Sequence, residues 1–284
     1  MTRLAEIRGH IASMNELLDI VGAMRSLAGM RVQEAQRALP GVRRYAQSMA
    51  SAIGDALLLV PLPAAAVAGG PRALVLCMAE HGFVGGFNQR LVDAAEAELG
   101  AGDLLFVLGS RGAALALEHG HEASWVRPMA THLAGAPETI NRLTGALYMR
   151  IARGEISRVE VMFSRYRQGG ASEIERHLLL PLDAASLALK QPGQAPLHNL
   201  APAPLLEKLI AEYVFALLTE AAVESISSEN AARFSAMESA HENVTKKLSQ
   251  LRQSAQQARQ TEITAELLDL VTGAEALAGE GGLL

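Results

Sequence analysis

The chain has 284 residues, of which 50% are hydrophobic but only 4% aromatic, and its formal net charge is −5. Apolar content of this kind is typical of long helices packed side by side, whereas the acidic balance argues against a nucleic-acid-binding protein. The single cysteine, Cys77, excludes an internal disulfide framework and any CxxC metal or redox site.

Residues 1–58 are predicted to form one long helix. Their apolar residues are spaced by alternating steps of three and four, as in a coiled-coil seam that only Arg25 interrupts. Pro40 and Gly41 are expected to kink or interrupt this helix, because proline removes a backbone hydrogen bond and clashes one turn back. The seam consists of Leu4, Ile7, Ile11, Met14, Leu18, Val21, Ala28, Val32, Ala35 and Leu39.

The longest apolar run, residues 56–68, is too short to cross a membrane. It contains 13 residues, including Pro61 and Pro63, whereas a spanning helix needs about 20. No N-terminal segment resembles a signal peptide. We therefore expect a soluble, cytoplasmic chain without direct membrane insertion, able to sit against a membrane complex.

Residues 70–190 alternate between strand-like and helical patterns. Strands are predicted at 73–78, 104–109, 159–166 and 172–180, and helices from Phe87, over 113–117 and over 137–153. A turn is predicted at 168–170, so that the last two strands form an antiparallel hairpin. This alternation predicts a small α/β domain, in which Cys77 is a buried apolar residue.

The C-terminal part mirrors the N-terminal helix. A proline-rich linker at 191–204 precedes a predicted helix at 205–278, which would span roughly 100 Å, and residues 279–284 are predicted to be a flexible tail. The heptad spacing slips once, which locally changes a supercoil. The first stripe is Phe234, Met237, His241, Val244, Leu248, Leu251, Ala255 and Ala258, and the second is Ile263, Leu267, Leu270 and Ala274.

The predicted fold class is α/β: a long antiparallel coiled coil of the N- and C-terminal helices, with a small α/β domain inserted between them. Pairing the two terminal helices is the economical way to cover them both, because an ordinary domain is too small to do so.

Four motifs in order along the chain resemble the gamma subunit of F-type ATP synthases, the central rotor shaft. They are EIRGHIASMN and GAMRSLAGMR near the N-terminus, EHGFVGGFN after the first strand, and SENAARFSAMESAHENV with ARQTEITAELLDLVTGAEAL near the C-terminus. The third motif corresponds to the family's D-R-G-L-C-G-G-x-N loop. The resemblance covers nearly the whole chain and agrees with the predicted architecture.

The chain departs from the family at several positions. Gly22 stands where the family usually has lysine, and Gln33 and Glu34 stand where it has basic residues. In the glycine loop, Glu80, His81 and Val84 replace the usual Asp, Arg and Cys. These departures suggest a divergent subtype, such as the gamma subunit of an alternative, sodium-translocating F-type enzyme.

The resemblance implies a mechanical subunit with no catalytic residues, no cofactor and no metal. Its implied partners are three alpha and three beta subunits of the ATPase head, the epsilon subunit and the membrane c-ring. The implied location is peripheral, on the cytoplasmic side of the inner (plasma) membrane. The sequence does not say whether the complex moves H⁺ or Na⁺.

The candidate partner-contact residues lie in the matching motifs. For Arg25 we favour a packed stem with its head in water over a contact with an acidic loop of a beta subunit. Polar residues in SENAARFSAM usually form a solvated face, while its small residues permit tight contact with a partner. The candidates are Met24, Arg25, Gly82, Gly85, Gly86, Asn88, Glu229, Arg233, Met237 and Glu262.

The glycine loop also raises the possibility of a nucleotide site. A strand, glycine loop and helix in this order can cradle phosphate, but GxGxxG and GK[ST] are absent. We favour close packing, in which Gly82, Gly85 and Gly86 let the turn lie against a neighbouring helix or subunit. The alternative, a nucleotide-binding α/β enzyme, would require measurable binding of ATP or NAD by the isolated chain.

Two further alternatives stay open. A metal site at His119, His121, Glu122 and His132 lacks the i, i+4 spacing and the cysteines of a zinc site, so a solvated loop is favoured. A coiled-coil tether with an α/β head, unrelated to ATPases, is compatible with the heptads and the topology. Co-purification of the chain with alpha and beta subunits would discriminate the gamma subunit from such a tether.

Overall fold

The computed structural model describes residues 3–60, 71–167, 172–182 and 197–280, with side chains up to residue 272. The predicted turn at 168–170, the first part of the predicted linker (191–196) and residues 281–284 of the predicted tail lie outside these ranges. The helices are α1 (Arg3–Ala56), α2 (Phe87–Glu96), α3 (Ser110–Glu118), α4 (Ala136–Ala152) and α5 (Pro202–Glu280), with a 3₁₀ turn at Leu133–Gly135. The strands are β1 (Arg72–Cys77), β2 (Leu104–Leu108), β3 (Trp125–Arg127), β4 (Arg158–Arg165) and β5 (Glu173–Leu180).

The five strands form one sheet in the order β3-β2-β1-β4-β5. The first four run parallel, and β5 pairs antiparallel with β4. Strands β1, β2 and β4 are buried over nearly their whole length because helices cover both faces of the parallel part. The predicted strands and the antiparallel pairing of the last two are confirmed, whereas the three-residue β3 was not predicted.

Two apolar clusters cover the two faces of the sheet. One lies under α2 and α3, and the other under α4 and α5. Alternate residues of β1 point to opposite clusters, so that Leu74 and Leu76 contact one and Val75 and Cys77 the other. The expectation that Cys77 is a buried apolar residue is confirmed, because its side chain is fully buried.

Helix α1 runs without a break through Pro40, so the predicted interruption is wrong. Proline removes one hydrogen bond of the helix ladder, but tertiary packing stabilises the helix on both sides of it. Leu39 is 2% exposed and packs with Val223 of α5, while Arg43 binds Glu220 of the same helix.

The chain divides into two compact units, one formed by residues 1–26 and 237–284 and the other by residues 27–236. Helices α1 and α5 are antiparallel in both. In the first unit, Arg25 contacts Glu238 and Asn15 contacts Arg252. The boundaries predicted for an inserted domain at 70–190 stay a prediction.

The antiparallel pairing continues in the second unit. The Nε2 of Gln36 donates to the hydroxyl of Ser227 over 2.8 Å, and Ile53 packs with Leu206. Phe234, predicted to lie on the seam, is 41% exposed. One of its ring edges lies 3.5 Å from the place where a Cβ on Gly29 would stand.

Candidate interaction surfaces

The glycine loop lies between β1 and α2 and exposes its tip. Phe83 is 69% exposed and has a φ of +62°, and Gly85 has a φ of +53°. A Cβ added to Gly82, Gly85 or Gly86 would meet no atom within 4 Å. Within the described residues, no neighbouring helix therefore occupies the space that a side chain at these glycines would fill, and the expected close packing stays a prediction. Contact with another subunit stays a prediction.

Polar side chains beside the loop point inward and fix it. The carboxylate of Glu80 accepts hydrogen bonds from the amides of Ser110 and Met129, each at 2.9 Å. Partial burial opposes ionisation of Glu80, but these hydrogen bonds lower its pKa below the ordinary value. Asn88, which is 5% exposed, accepts from the amide of Ala79 at 2.9 Å. In this structure Asn88 therefore stabilises the loop from within the chain.

Helix α5 crosses the carboxyl end of β1. Because β1 lies between β2 and β4, this end is the topological switch point, where doubly wound enzymes bind their ligands. The hydroxyl of Ser225 donates to the carbonyl of Cys77 at 2.6 Å, and Arg233 reaches the carbonyl of Gly82 at 3.4 Å. Ala232 packs against the cluster on the opposite face of the sheet. The chain's own helix thus contacts this end of β1 and the glycine loop directly.

Glu229 and Arg233 form a buried ion pair one turn apart on α5. Arg233 Nη2 lies 2.6 Å from Glu229 Oε1, and both side chains are 9% exposed. Arg233 Nη1 also donates to the side-chain oxygen of Asn230. Burial raises the pKa of Glu229, and Arg233 opposes that rise. Met237 is also buried, so a partner contact of these candidate residues stays a prediction.

Arg25 binds across the helix pair. Its Nη1 lies 3.0 and 3.2 Å from the two carboxylate oxygens of Glu238, and its side chain is 32% exposed. We expected the stem of Arg25 to pack and its charged head to lie in water. The structure adds an ion pair between that head and Glu238. Met24 and Glu262, two other candidates on these helices, are half-buried.

The described end of α5 carries an unpaired apolar surface. Every residue from 263 to 272 is exposed and helical. Large apolar patches on a soluble protein mark interaction sites, so this segment is the strongest candidate interface. Its large apolar residues are Ile263, Leu267, Leu268, Leu270 and Val271.

The structure does not assemble the metal site that the sequence left open, as far as its described residues show. No group of three His, Cys, Asp or Glu residues that could hold a metal occurs in the described part of the chain. His119 ends α3 and contacts Gln89, while His132 caps the 3₁₀ turn by accepting from the amide of Gly135. Across the same ranges, no helix is long and apolar enough to cross a membrane.

Sequence reasoning missed a buried ionic cluster in the first third of α5. Glu220 and Glu224 are spaced i, i+4 in the otherwise apolar stretch VFALLTEAAVESI and bind Arg43 and Arg165. Two carboxylates one turn apart on a buried face are a readable signal for cationic partners.

The comparisons with known proteins agree with this architecture. A family model described as ATP synthase matches residues 3–277. The chain is 27% identical to the ATP synthase gamma chain of Prosthecochloris aestuarii, over 98% of this chain and 100% of that one. It is 28% identical to the gamma chain of Chlorobium chlorochromatii, with the same two coverages.

Solved structures share the fold. A chain of the Euglena gracilis mitochondrial ATP synthase (OSCP/F1/c-ring) matches with a TM-score of 0.65 and 14% identity, over 99% of this chain and 96% of that one. A chain of the Tetrahymena thermophila mitochondrial ATP synthase (central stalk/c-ring) matches with a TM-score of 0.56 and 17% identity, over 78% and 99%.

Proposed function

We propose the mechanism of this chain from one premise: it belongs to the gamma-chain family of ATP synthases, whose family model matches residues 3–277. The chain is accordingly the gamma subunit of an F-type ATP synthase, a non-catalytic part of the central stalk in a complex peripheral to the membrane. What remains to be proposed is how its surfaces act and which partners they meet.

The partners are three alpha and three beta subunits around the end of α5, the epsilon subunit, and a membrane c-ring that turns the stalk. The observation that carries this assignment is the exposed segment 263–272. The large apolar side chains of this helix have no partner within the described chain. They therefore need an apolar surface that other subunits supply around the helix. The glycine loop, with exposed Phe83 at its tip, is a second contact surface for a neighbouring subunit.

The stalk couples rotation to catalysis by touching each beta subunit with a different face at each angle. Moving a subunit from almost fully open to almost fully closed takes about 5.5 kcal/mol of differential contact energy. Burying one large aliphatic side chain contributes about 1.5–3 kcal/mol. Burying all three of Ile263, Leu267 and Leu270 at about 2 kcal/mol each would therefore shift that equilibrium, with no chemistry on this chain.

The complex lies on the cytoplasmic side of the inner (plasma) membrane, and the chain is a divergent form of the subunit. A Cβ on Gly22 would meet nothing within 4 Å, so packing within the chain does not exclude the family's usual lysine there. The loss of this basic residue therefore reflects a different contact with a partner, as in an alternative, sodium-translocating enzyme.

Reconstitution tests this function directly. The chain is mixed with the alpha and beta subunits of its own organism, and ATP hydrolysis is measured with and without it. We expect a complex of three alpha, three beta and one copy of this chain, with hydrolysis that depends on the chain. If folded alpha and beta subunits form no complex with it, the tether hypothesis takes its place.

A further inference from the structure

Five charged residues from four elements meet where α5 passes the antiparallel edge of the sheet. We call them the Glu224 cluster: Arg43 of α1, Arg165 of β4, Glu175 of β5, and Glu220 and Glu224 of α5. Arg43 Nε lies 2.8 Å from Glu220 Oε1, and another nitrogen of Arg43 bonds Glu224. Arg165 lies 2.8 Å from Glu175, 3.4 Å from Glu224 and 3.9 Å from Glu220.

The cluster has one more carboxylate than guanidinium groups. The Glu224 side chain is 2% exposed, and its Oε2 has no hydrogen-bond partner within the described residues. Burial raises the pKa of Glu224, and the guanidinium groups of Arg43 and Arg165 oppose that rise. Two guanidiniums thus hold three carboxylates, so removing either cation leaves buried negative charge uncompensated.

Helix α1 reaches the sheet through this cluster rather than through the apolar core. Within the described ranges, the two apolar clusters that contain the strands include residues of α5 but none of α1. The shared carboxylates of Glu220 and Glu224 bind Arg43 of α1 on one side and Arg165 of β4 on the other. Apolar contacts are non-directional, whereas the hydrogen bonds that Arg43 donates to Glu220 and Glu224 are directional and favour one register. Arg165 contacts the same carboxylates as ion pairs at 3.9 and 3.4 Å.

We propose that Arg43 is a positioning residue for rotary coupling. It holds α1 in register with α5 and, through the shared carboxylates, with β4 and β5. Torque applied to the sheet then turns residues 27–56 of α1 and the adjoining part of α5 as one body. This proposal rests on the proposed function as a rotating stalk and goes beyond it by assigning the joint to named residues.

The test uses the complete membrane-embedded complex and a matched pair of variants. Arg43→Met removes the cluster's cation from α1, and Arg44→Met removes an adjacent arginine that, among the described residues, bonds the carbonyl of Pro40 and lies outside the cluster. ATP hydrolysis and ATP-driven membrane potential are measured on the same vesicles, the latter with a voltage-sensitive dye that responds whichever ion moves.

We expect Arg43→Met to hydrolyse ATP but to build potential about fivefold more slowly per ATP hydrolysed, a loss in the range of ordinary coupling energies. Arg44→Met should match the parent, and Arg43→Lys should recover part of the loss because it restores the charge without the planar fork. A purely structural role would lower the amount of assembled complex without changing this ratio.

An unchanged ratio in assembled Arg43→Met complexes would overturn the proposal. If that variant fails to assemble, the ratio in Arg43→Lys decides alone: an intermediate loss supports the joint, and a parental value rejects it. Failure of the function itself has another signature, since the parent complex would then not form or would build no potential.

Discussion

The hydroxyl of Ser225 on α5 donates a 2.6 Å hydrogen bond to the main-chain carbonyl of Cys77, at the end of the central strand β1. This bond ties the long helix to the switch point of the sheet, where doubly wound α/β enzymes hold their ligands. The site therefore serves the internal cohesion of the stalk subunit.

Replacing Ser225 by alanine should destabilise the chain by about 1–3 kcal/mol, because the buried carbonyl of Cys77 loses its partner. The measurement is the free energy of unfolding in urea. Ser228→Ala is the control, since the hydroxyl of Ser228 is buried without a hydrogen-bond partner in the described chain; it should cost less than about 1 kcal/mol. Equal losses would contradict the assignment.

Arg233→Met should destabilise the chain by about 3–5 kcal/mol, because it leaves Glu229 buried and unpaired. Glu229→Gln combined with Arg233→Met should recover most of this loss. Both effects are read from urea unfolding of the parent and the variants at neutral pH. A double variant no more stable than Arg233→Met would show that Glu229 is not the source of the penalty.

The single variant Arg233→Met should also change how the stability of the chain depends on pH. Burial raises the pKa of Glu229 in the folded state, and Arg233 limits the rise, so Arg233→Met raises that pKa further. The folded chain then binds this proton more tightly than the unfolded chain. Stability is therefore lost as pH rises from the ordinary value of 4.5 through the raised pKa. The variant's penalty should be smaller at about pH 5 than at about pH 8; equal penalties would contradict this.

Deleting residues 264–284 should weaken coupling and torque before it abolishes assembly. The deleted residues with described side chains, 264–272, are exposed, so the deletion should leave the unfolding temperature of the isolated chain unchanged. The decisive measurement is ATP-driven pumping by the assembled complex. Pumping at the parental rate would count against the proposed role of this segment.

Gly112→Ala should destabilise the chain by about 1–3 kcal/mol through overpacking. A Cβ on Gly112 of α3 would stand 2.2 Å from the Cβ of Met78. Gly145→Ala in α4 is the control, because its Cβ would meet nothing within 4 Å; it should stabilise the helix by about 0.5–1 kcal/mol. Thermal unfolding of the two variants should shift in opposite directions.

The strands and helices of the sheet region were readable because their apolar runs are long and bounded by turn residues. Strand β3 was missed because three residues, two of them exposed, carry no periodic signal. The interruption at Pro40 was wrong because the local cost of proline is offset by contacts with α5, which lies more than 150 positions further along the chain.

The candidate contact residues show where sequence spacing stops being informative. Glu229 and Arg233 have the i, i+4 spacing of a solvated helix face, yet both are buried. Only the packing of α5 against the end of β1 reveals this. Glu220 and Glu224 gave a clearer signal, because their neighbours are apolar, but the partner Arg43 lies far away in sequence and could not be paired with them.

Helix α5 completes the core of a sheet that is made long before it. Five of its residues finish one face of that core: Val214, Leu218, Ala221, Ala222 and Ile226. A ribosome that adds about 5–20 residues per second finishes β5 roughly 2–9 s before it reaches this segment. During that interval this face of the nascent sheet can be covered by α4 but still lacks α5. A chain that terminates near residue 200 would lack these five side chains, and the apolar surface that they cover would stay exposed to aggregation.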